Sequence, residues 1–338
     1  MSEENNSNKK NSKKKLTKYQ RKWITYGITV VVLLIVSLIV KDDSFNLDNL
    51  KNEIAKLENA TYNSVTISDN NVKLTNVEVP TFEKNRLNVL YLYVGQADCT
   101  LVNINDHYML IDAGNNEDGK NIVAYLKKIG VTKLDYLVGT HADEDHIGGL
   151  DDVILGLDVD EILMPSNGNE KANYKDVVTA ASKKNMLVSV PKVNEKLSFE
   201  NTETKVLAVD TENNNMNNTS IVIQIDFGEN KFLFMGDAEK EVEDKIEWED
   251  IDVLKVGHHG SGTSSTINFL QKVKPEYAII EVGKDNQYRL PNRNVVTRIT
   301  GVGALLLRTD EEETSFLVTS NGIDIKASKI KVNLDGNK

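Results

Sequence analysis

The chain has 338 residues, of which 51 are acidic and 40 basic, and its single cysteine, Cys99, excludes an intrachain disulfide. Residues 1–40 carry eight Lys and Arg against two Glu, so the rest of the chain holds 32 basic and 49 acidic residues, a formal charge of −17. Because such a body repels phosphate backbones, its overall charge excludes non-specific nucleic-acid binding, and a nucleic-acid role would need a local site.

An uncharged run follows the lysine-rich N-terminus. Residues 23–40, WITYGITVVVLLIVSLIV, would span about 27 Å as a helix, close to the thickness of a bilayer's hydrocarbon core. A cleaved signal peptide is the alternative, but residues 41–43 are Lys-Asp-Asp and no small-residue cleavage pattern precedes them. We therefore predict a single transmembrane helix, an uncleaved signal anchor. The positive-inside rule places the basic tail, residues 1–22, in the cytoplasm and the acidic body outside.

Residues 41–86 are predicted to be a stalk or linker. Apolar residues at spacings of three and four between positions 47 and 57 indicate a short amphipathic helix, either a spacer or a self-associating stalk. Asn-rich, strand-like residues follow to about Asn85, and the folded body is expected to begin near Leu87.

From residue 87 to about residue 330 the hydrophobic periodicity alternates between strand-like and helix-like segments. The strand-like runs come in hairpin-like groups, and single helix-like segments lie between the groups. The helix-like segments are 121–129, 171–184, 239–247, 264–272 and 293–300. This order predicts an α/β (α+β) domain in which two mixed sheets pack together with helices outside, rather than a doubly wound parallel sheet.

Two of the five histidines lie in one six-residue stretch, HADEDH, which runs from His141 to His146. The stretch follows a predicted strand and precedes two glycines, so we expect a turn on which side chains converge. An extended turn would point residues 141, 143 and 145 to related sides and residue 146 elsewhere, so that one loop could serve two metal ions. Alone, the pattern is also compatible with a polar surface loop.

Two later strand-like runs also end in residues of metal-binding type. Asp237 follows KFLFMG, and His258 and His259 follow VLKVG ahead of a Gly/Ser-rich loop. Gly-Asp alone is common turn chemistry, and a lone HHG is more often a loop than a site. The three motifs in this order, each at a strand end, predict a metal site. His107, in a polar turn, is expected to be solvated.

The order HxDxDH, GD and HHGS resembles that of the metallo-β-lactamase superfamily, and most closely the hydrolase domain at the C-terminus of ComEC-type competence proteins. The resemblance runs from about Leu87 to Ala327 and includes YVGQADCTLV, LIDAG, NNTSIVIQIDFG and RTDEEETSFLVTSNGIDI. It implies a metallo-β-lactamase-like αββα sandwich with the metal centre at the rim between the sheets.

The resemblance also implies a ligand set for two divalent ions, Zn²⁺ or Mn²⁺. The first two ligands would hold one ion, the next two and a paired histidine the other, and the GD aspartate would bridge the ions. In chain order the implied ligands are His141, Asp143, Asp145, His146, Asp237 and His259. Aligning GHHG on the superfamily's GHG selects His259 and leaves His258 for the substrate, although the opposite order stays open.

Further roles are implied for residues beside the ligands. Asp112 would brace the metal loop, and Asn218, which lies where the superfamily has a third histidine, would be a weak ligand or a substrate contact. Asp145, His258 and Arg289 would act in catalysis. Two ions about 3.5 to 4 Å apart lower the pKa of a shared water and clamp the attacking and leaving oxygens, so the nucleophile would be a hydroxide. An aspartate at position 143 favours Mn²⁺, whereas affinity order alone favours Zn²⁺.

The sequence departs from the family pattern in two places. Ala97 replaces the second glycine of GQGD, which is tolerated unless that position needs a positive φ. In QYRLPNRNV, Leu290 replaces a histidine and Arg289 a glycine of the family's Tyr-Gly-His-Pro. A histidine there could protonate a leaving group, whereas Arg289 can bind phosphate but is not a general acid at neutral pH.

Three functions are therefore weighed. The first is a membrane-anchored, extracytoplasmic hydrolase of a phosphodiester, either a nucleic acid such as DNA or a smaller phosphodiester of the cell envelope. The second is hydrolysis of a β-lactam, lactone or thioester, which the Asp143 pattern disfavours. The third, motivated by Leu290, is a metal-braced binding or scaffold module at the cell surface that has lost catalysis.

Overall fold

The computed structural model describes residues 63–69 and 72–336 of the chain. The predicted transmembrane segment, residues 23–40, and the predicted helix near residues 47–57 lie outside the described residues. Within the described ranges, none of the helices has the length and apolar character needed to cross a bilayer.

The first described element is a hairpin of two antiparallel strands, β1 (Asn63–Asp69) and β2 (Val72–Val79). Leu74 and Val77 are buried in the hydrophobic core of the body. The Tyr125 hydroxyl donates a hydrogen bond of 2.9 Å to the backbone carbonyl of Glu78. The backbone N–H of Glu78 donates a hydrogen bond of 3.0 Å to the carbonyl of Lys331. Part of the segment that the sequence assigned to the linker therefore packs against the body.

An eight-stranded mixed sheet forms the first half of the body. Its spatial order is β17-β16-β3-β4-β5-β6-β7-β8, antiparallel from β17 to β5 and parallel from β5 to β8. The strands are β3 (Leu87–Tyr91), β4 (Thr100–Ile104), β5 (His107–Ile111), β6 (Lys133–Val138), β7 (Asp158–Leu163), β8 (Val188–Ser189), β16 (Ser315–Ser320) and β17 (Ile325–Ile330).

A seven-stranded mixed sheet forms the second half. Its order is β15-β14-β13-β12-β11-β10-β9, antiparallel from β9 to β12 and parallel from β12 to β15. The strands are β9 (Lys196–Leu197), β10 (Glu203–Ala208), β11 (Val222–Phe227), β12 (Asn230–Phe234), β13 (Val253–Lys255), β14 (Tyr277–Ile280) and β15 (Leu305–Arg308).

Helices connect the parallel strands of each sheet. Those of the first sheet are α1 (Gly119–Lys128), α2 (Glu144–Ile147), α3 (Leu150–Gly156) and α4 (Ala172–Lys183). Those of the second are α5 (Lys240–Glu243), α6 (Ile267–Val273) and α7 (Arg293–Gly301). Short 3₁₀ turns cover Met216–Thr219, Gly257–Gly260 and Glu311–Glu313.

Alternation along the strands divides the core into layers, because successive side chains of a strand point to opposite faces. Val89 and Tyr91 of β3 pack with Phe232 and Phe234 of β12 between the sheets, whereas Leu90 faces the helices that cover the first sheet. A third cluster packs α6 and α7 on the outer face of the second sheet. The predicted αββα sandwich of two mixed sheets is confirmed.

Candidate metal centre

The candidate site lies where the first parallel strand pair of each sheet ends. Asp112 follows β5 and His141 follows β6 in the first sheet, while Asp237 follows β12 and His258 and His259 follow β13 in the second. The side chains from the two sheets contact one another, and the structure therefore brings together motifs that are far apart in sequence.

Asp237 lies at the centre of the site, and the Nε2 atoms of four histidines surround its carboxylate. Oδ1 of Asp237 lies 3.2 Å from Nε2 of His146. Oδ2 lies 3.7 Å from Nε2 of both His258 and His259, and 3.9 Å from Nε2 of His141. Because one carboxylate faces imidazoles from both sheets, it stands where a bridging ligand would.

Several buried polar atoms at this centre have no hydrogen-bond partner: Nε2 of His141, His146 and His259, and Oδ1 of Asp237. Such atoms are nearly always partnered in folded proteins. Metal-binding histidines typically use the other ring nitrogen for an outer hydrogen bond, which leaves one nitrogen free for the ion. These side chains therefore fit divalent ions.

Among the described residues, four groups of three are compact enough to share an ion, and two of these consist only of predicted ligands. Their potential ligand atoms lie within 4.8 Å of one another in His141-His146-Asp237 and in Asp145-His146-His259. The second group matches the second predicted ion, and Nε2 of His259 lies 3.2 Å from Oδ2 of Asp145. His146, assigned by the sequence to the second ion alone, belongs to both groups.

The metal loop is not the extended turn that the sequence suggested. Asp143 is extended, with φ −89° and ψ 151°, but the short helix α2 begins at the next residue. The N–H groups of His146 and Ile147 both donate to the carbonyl of Asp143. Helical winding, rather than alternation along a strand, therefore sets the directions of Asp145 and His146.

Hydrogen bonds of Asp112 and Thr140 fix the position of this loop. The Asp112 carboxylate accepts hydrogen bonds of 2.8 Å from the backbone N–H and the hydroxyl of Thr140, and it lies 2.8 Å from Nδ1 of His146. Nδ1 of His141 lies 3.2 Å from the Thr140 hydroxyl and 3.4 Å from the Ser220 hydroxyl. These contacts match the bracing predicted for Asp112.

The paired histidines have different environments. His259 is buried, and its Nδ1 lies 2.9 Å from the carbonyl oxygen of Glu281. The side chain of His258 is 24% exposed, and its Nδ1 lies 3.2 Å from a carboxylate oxygen of Glu239. Both histidines have left-handed backbones, with φ of 52° and 48°, a strain that is common at functional sites. This placement favours His259 as the ligand and His258 as the residue that faces a substrate.

The ammonium of Lys171 would compete with a metal ion for the carboxylate of Asp143. Oδ2 lies 3.5 Å from Nε2 of His141, but Oδ1 pairs with the ammonium of Lys171, a residue that the sequence did not single out. Burial raises the pKa of Asp143, but the nearby His141 and the hydrogen bond and charge of Lys171 outweigh it and hold this pKa well below its usual range. Among the six predicted ligands, only Asp143 is absent from the compact groups.

A cavity of about 510 Å³ opens onto these side chains. Its lining includes Asn217, Tyr288 and Leu290 but neither Asn218 nor Arg289. Asn218 is turned away: its Oδ1 accepts from the N–H of Glu239, and its amide donates to Glu241. Arg289 is exposed and has φ 58°, the left-handed region that favours the glycine it replaces.

The other departure from the family pattern causes no backbone strain. Ala97 is buried and does not have a positive φ, which among its neighbours occurs at Gly95. Its methyl group is therefore tolerated. His107 begins β5 and is half-exposed as expected, although its Nδ1 also lies 2.9 Å from Asp135.

A buried charge network lies beneath the site. The Lys255 ammonium binds Oδ2 of Asp98 at 2.6 Å and lies 3.8 Å from Glu281, which accepts hydrogen bonds from Thr100 and the N–H of Cys99. Burial, together with the charge of Asp98, raises the pKa of Glu281 to about 8. The signal in the sequence was a lysine inside the apolar run IDVLKVG, because a lysine is rarely fully buried unless it is paired.

The side chains of the predicted ligands stabilise one another's charged forms. Burial raises the pKa of Asp237, but the charges of His146 and His259 outweigh it and hold this pKa well below its usual range. Burial lowers the pKa of His146, but Asp237, Asp112 and Asp145 raise it well above its usual value. A divalent ion would therefore have to displace imidazole protons, and its affinity would fall at low pH.

Comparison with known proteins identifies a matching family and several relatives. Residues 92–283 match the Metallo-beta-lactamase superfamily. The chain is 32% identical over 200 residues to ComE operon protein 3 of Bacillus subtilis, which covers 58% of this chain and 26% of that protein. It is 29% identical over 257 residues to Recombination protein 2 of Haemophilus influenzae, covering 74% of this chain and 30% of that protein.

These matches cover only part of each relative. The chain spans a third or less of the length of the curated competence-type relatives, including Competence protein ComA of Neisseria gonorrhoeae at 28% identity. Among solved structures, the metallo-beta-lactamase fold protein YhfI from Bacillus subtilis matches 72% of this chain and all of that chain, with 11% identity and a TM-score of 0.48.

Proposed function

Because the chain belongs to the metallo-beta-lactamase superfamily, with relatives of the ComEC family, we propose that it is a metal-dependent hydrolase that cleaves a phosphodiester. The observation that carries this proposal is the Asp237 carboxylate surrounded by four imidazole Nε2 atoms, three of them buried without hydrogen bonds. The carboxylates of Asp143 and Asp145 add oxygen ligands to these imidazoles, which moves the metal preference from Zn²⁺ toward Mn²⁺.

Two divalent ions held by these residues would activate a water and neutralise charge on a phosphodiester. His258 and Asp145 would contact the oxygens of the substrate, a role supported by their position in the cavity lining. Glu239, beside Nδ1 of His258, orients this imidazole so that Nε2 faces the site. Arg289 would bind an outer phosphate from the rim, since it is exposed and lies next to the lining residues Tyr288 and Leu290.

The substrate is proposed to be either a nucleic acid or a small phosphodiester of the cell envelope. The competence-type relatives support a nucleic acid such as DNA. The charge of −17 after residue 40 supports a small substrate, since a long polyanion would be repelled by the body.

The test is hydrolysis of bis(p-nitrophenyl) phosphate by the full-length chain in detergent, with Mn²⁺ or Zn²⁺ added to metal-free protein. We expect turnover that depends on the added ion and that His146→Ala abolishes, because His146 belongs to both compact ligand groups. His107→Ala is the matched control, because His107 is a half-exposed histidine at the start of β5, whereas the site lies beyond the end of this strand. Turnover that survives His146→Ala would reject the proposal.

One observation favours a second candidate, a metal-braced binding or scaffold module without catalysis. Leu290 lines the cavity at the position where the family has a histidine, and it brings no proton donor to the site. Metal binding without turnover of the activated phosphodiester would support this candidate over the hydrolase.

We also propose a topology in which residues 1–22 form a cytoplasmic tail, 23–40 the transmembrane anchor, 41–86 a stalk or linker and 87–330 the extracytoplasmic hydrolase domain. The basic tail before an uncharged run supports it. Protease added to intact cells should digest the domain and spare an epitope tag at residue 1. A fully protected domain would disprove the orientation.

A further inference from the structure

Asp98 lies under the metal centre and contacts every member of the second ligand group, Asp145, His146 and His259. Its backbone N–H donates a hydrogen bond of 3.0 Å to the carbonyl of Asp145. Its Oδ1 lies 3.1 Å from Nδ1 of His259, and its Oδ2 lies 3.8 Å from Nδ1 of His146. The two short contacts are with Asp145 and His259, which belong to the second group and not to the first, whereas the contact with His146, which belongs to both groups, is the long one.

The position of Asp98 is itself fixed from both sheets. Its carbonyl accepts a hydrogen bond of 2.9 Å from the N–H of Gly114, which follows β5 in the first sheet. The Lys255 ammonium, at the end of β13 in the second sheet, binds Oδ2 at 2.6 Å. Asp98 and Lys255 are both almost fully buried, at 3% and 2% exposure, so solvent does not weaken this ion pair.

The Lys255–Asp98 ion pair also bears on whether Asp98 could itself be a metal ligand. Asp98 belongs to two other compact groups of potential ligands, with Asp237 and His259 and with Asp112 and His146. Because the ammonium of Lys255 already binds Oδ2, the carboxylate is held with Oδ1 3.1 Å from Nδ1 of His259, instead of joining the ligands. The same nitrogen lies 2.9 Å from the carbonyl oxygen of Glu281, so Asp98 and Glu281 together face the outer edge of this imidazole.

We propose that Asp98, locked by Lys255, is a positioning residue that orients His259 and Asp145 and thereby sets the affinity of the second ion. Asp98 does not line the 510 Å³ cavity, so it would act through the ligands and not on a substrate. Outer partners of ligating histidines typically contribute a factor of about 10 to 100 in metal affinity. The proposal rests on metal binding in the proposed function but not on turnover.

The test is titration of the metal-free, full-length chain with Zn²⁺ in competition with a chromogenic chelator, which yields an affinity for each ion. In Asp98→Asn we expect one ion to bind about 10- to 100-fold more weakly and the other to change by less than about threefold. Asp135→Asn is the matched control, because Asp135 also lies 2.9 Å from Nδ1 of a histidine, His107, and accepts a backbone N–H, away from the site.

Asp98→Asn deprives the buried Lys255 ammonium of its nearest carboxylate and leaves only Glu281 at 3.8 Å, so a second variant guards against misfolding. Asp98→Asn/Lys255→Met removes both charges, an exchange that buried pairs often tolerate, and the same selective loss of one ion is expected. Wild-type affinities in both folded variants, equal weakening of both ions, or the same loss in Asp135→Asn would each overturn the proposal. A wild-type chain that binds no ion would instead overturn the metal centre of the proposed function.

Discussion

Asp237→Ala is expected to weaken the binding of both divalent ions by more than about 100-fold, because even outer-shell changes cost about 10- to 100-fold. The two oxygens of Asp237 face Nε2 atoms from both sheets, at 3.2 Å for His146 and 3.7 Å for His259. Its loss therefore removes a ligand from each ion and also leaves imidazoles without their shared counter-charge. Turnover should fall below detection.

The measurement is metal content after equilibrium dialysis, with activity on bis(p-nitrophenyl) phosphate as a second readout. Asp310→Ala is the control: Asp310 is an ion-paired aspartate that binds Arg308 and does not line the cavity. If Asp237→Ala retained one ion at wild-type affinity, Asp237 would be a terminal ligand of the other ion and not a bridge.

Leu290→His is expected to accelerate cleavage of phosphodiesters with alkyl leaving groups by about 10²- to 10⁴-fold, the usual range for general acid catalysis. An alkoxide needs a proton as it leaves, whereas p-nitrophenolate does not. Leu290 lines the cavity and is only partly buried, so an imidazole can be accommodated there. The wild-type chain should therefore cleave activated esters measurably and alkyl esters poorly.

Comparison of kcat/KM for bis(p-nitrophenyl) phosphate and a methyl alkyl phosphodiester separates the two effects. Leu290→Gln is the control, because it adds polarity and hydrogen bonding without a proton that titrates near neutrality. A similar gain in Leu290→Gln, or an equal gain on both substrates, would show that the leucine acts through polarity or access and not through a missing acid.

The sequence predicted most of the elements, because alternation and helical periodicity report which side chains are buried. The helix predicted at 121–129 forms at Gly119–Lys128, and the one predicted at 171–184 forms at Ala172–Lys183. The single turn α2 was missed, since four residues are too few for periodicity to register and the loop is held by tertiary contacts such as that of Ala113 with His146.

From the sequence, the candidate site could be predicted only through the types of its residues and their positions at the ends of predicted strands. Motifs gave His141, His146 and Asp237, which the structure brings together. The Lys255–Asp98 pair joins residues 157 positions apart, a separation over which local patterns carry no information. Asn217 lines the cavity and Asn218 does not, because the 3₁₀ turn Met216–Thr219 directs Asn218 toward Glu239 and Glu241, and the sequence does not show which of two adjacent asparagines faces the cavity.

The change from antiparallel to parallel pairing occurs at an equivalent place in both sheets. In each, an antiparallel run that includes three consecutive strands of the chain, β3-β4-β5 or β10-β11-β12, leads into a first parallel pair, β5–β6 in one and β12–β13 in the other. Parallel pairs need crossover connections, so this change produces both the outer helices and the free loops at the strand ends. Each sheet thus repeats one topology and delivers ligands from the same position within it. The candidate centre therefore consists of two half-sites, one from each sheet. Asp237, from the second sheet, is the carboxylate that contacts His141 and His146 of the first sheet.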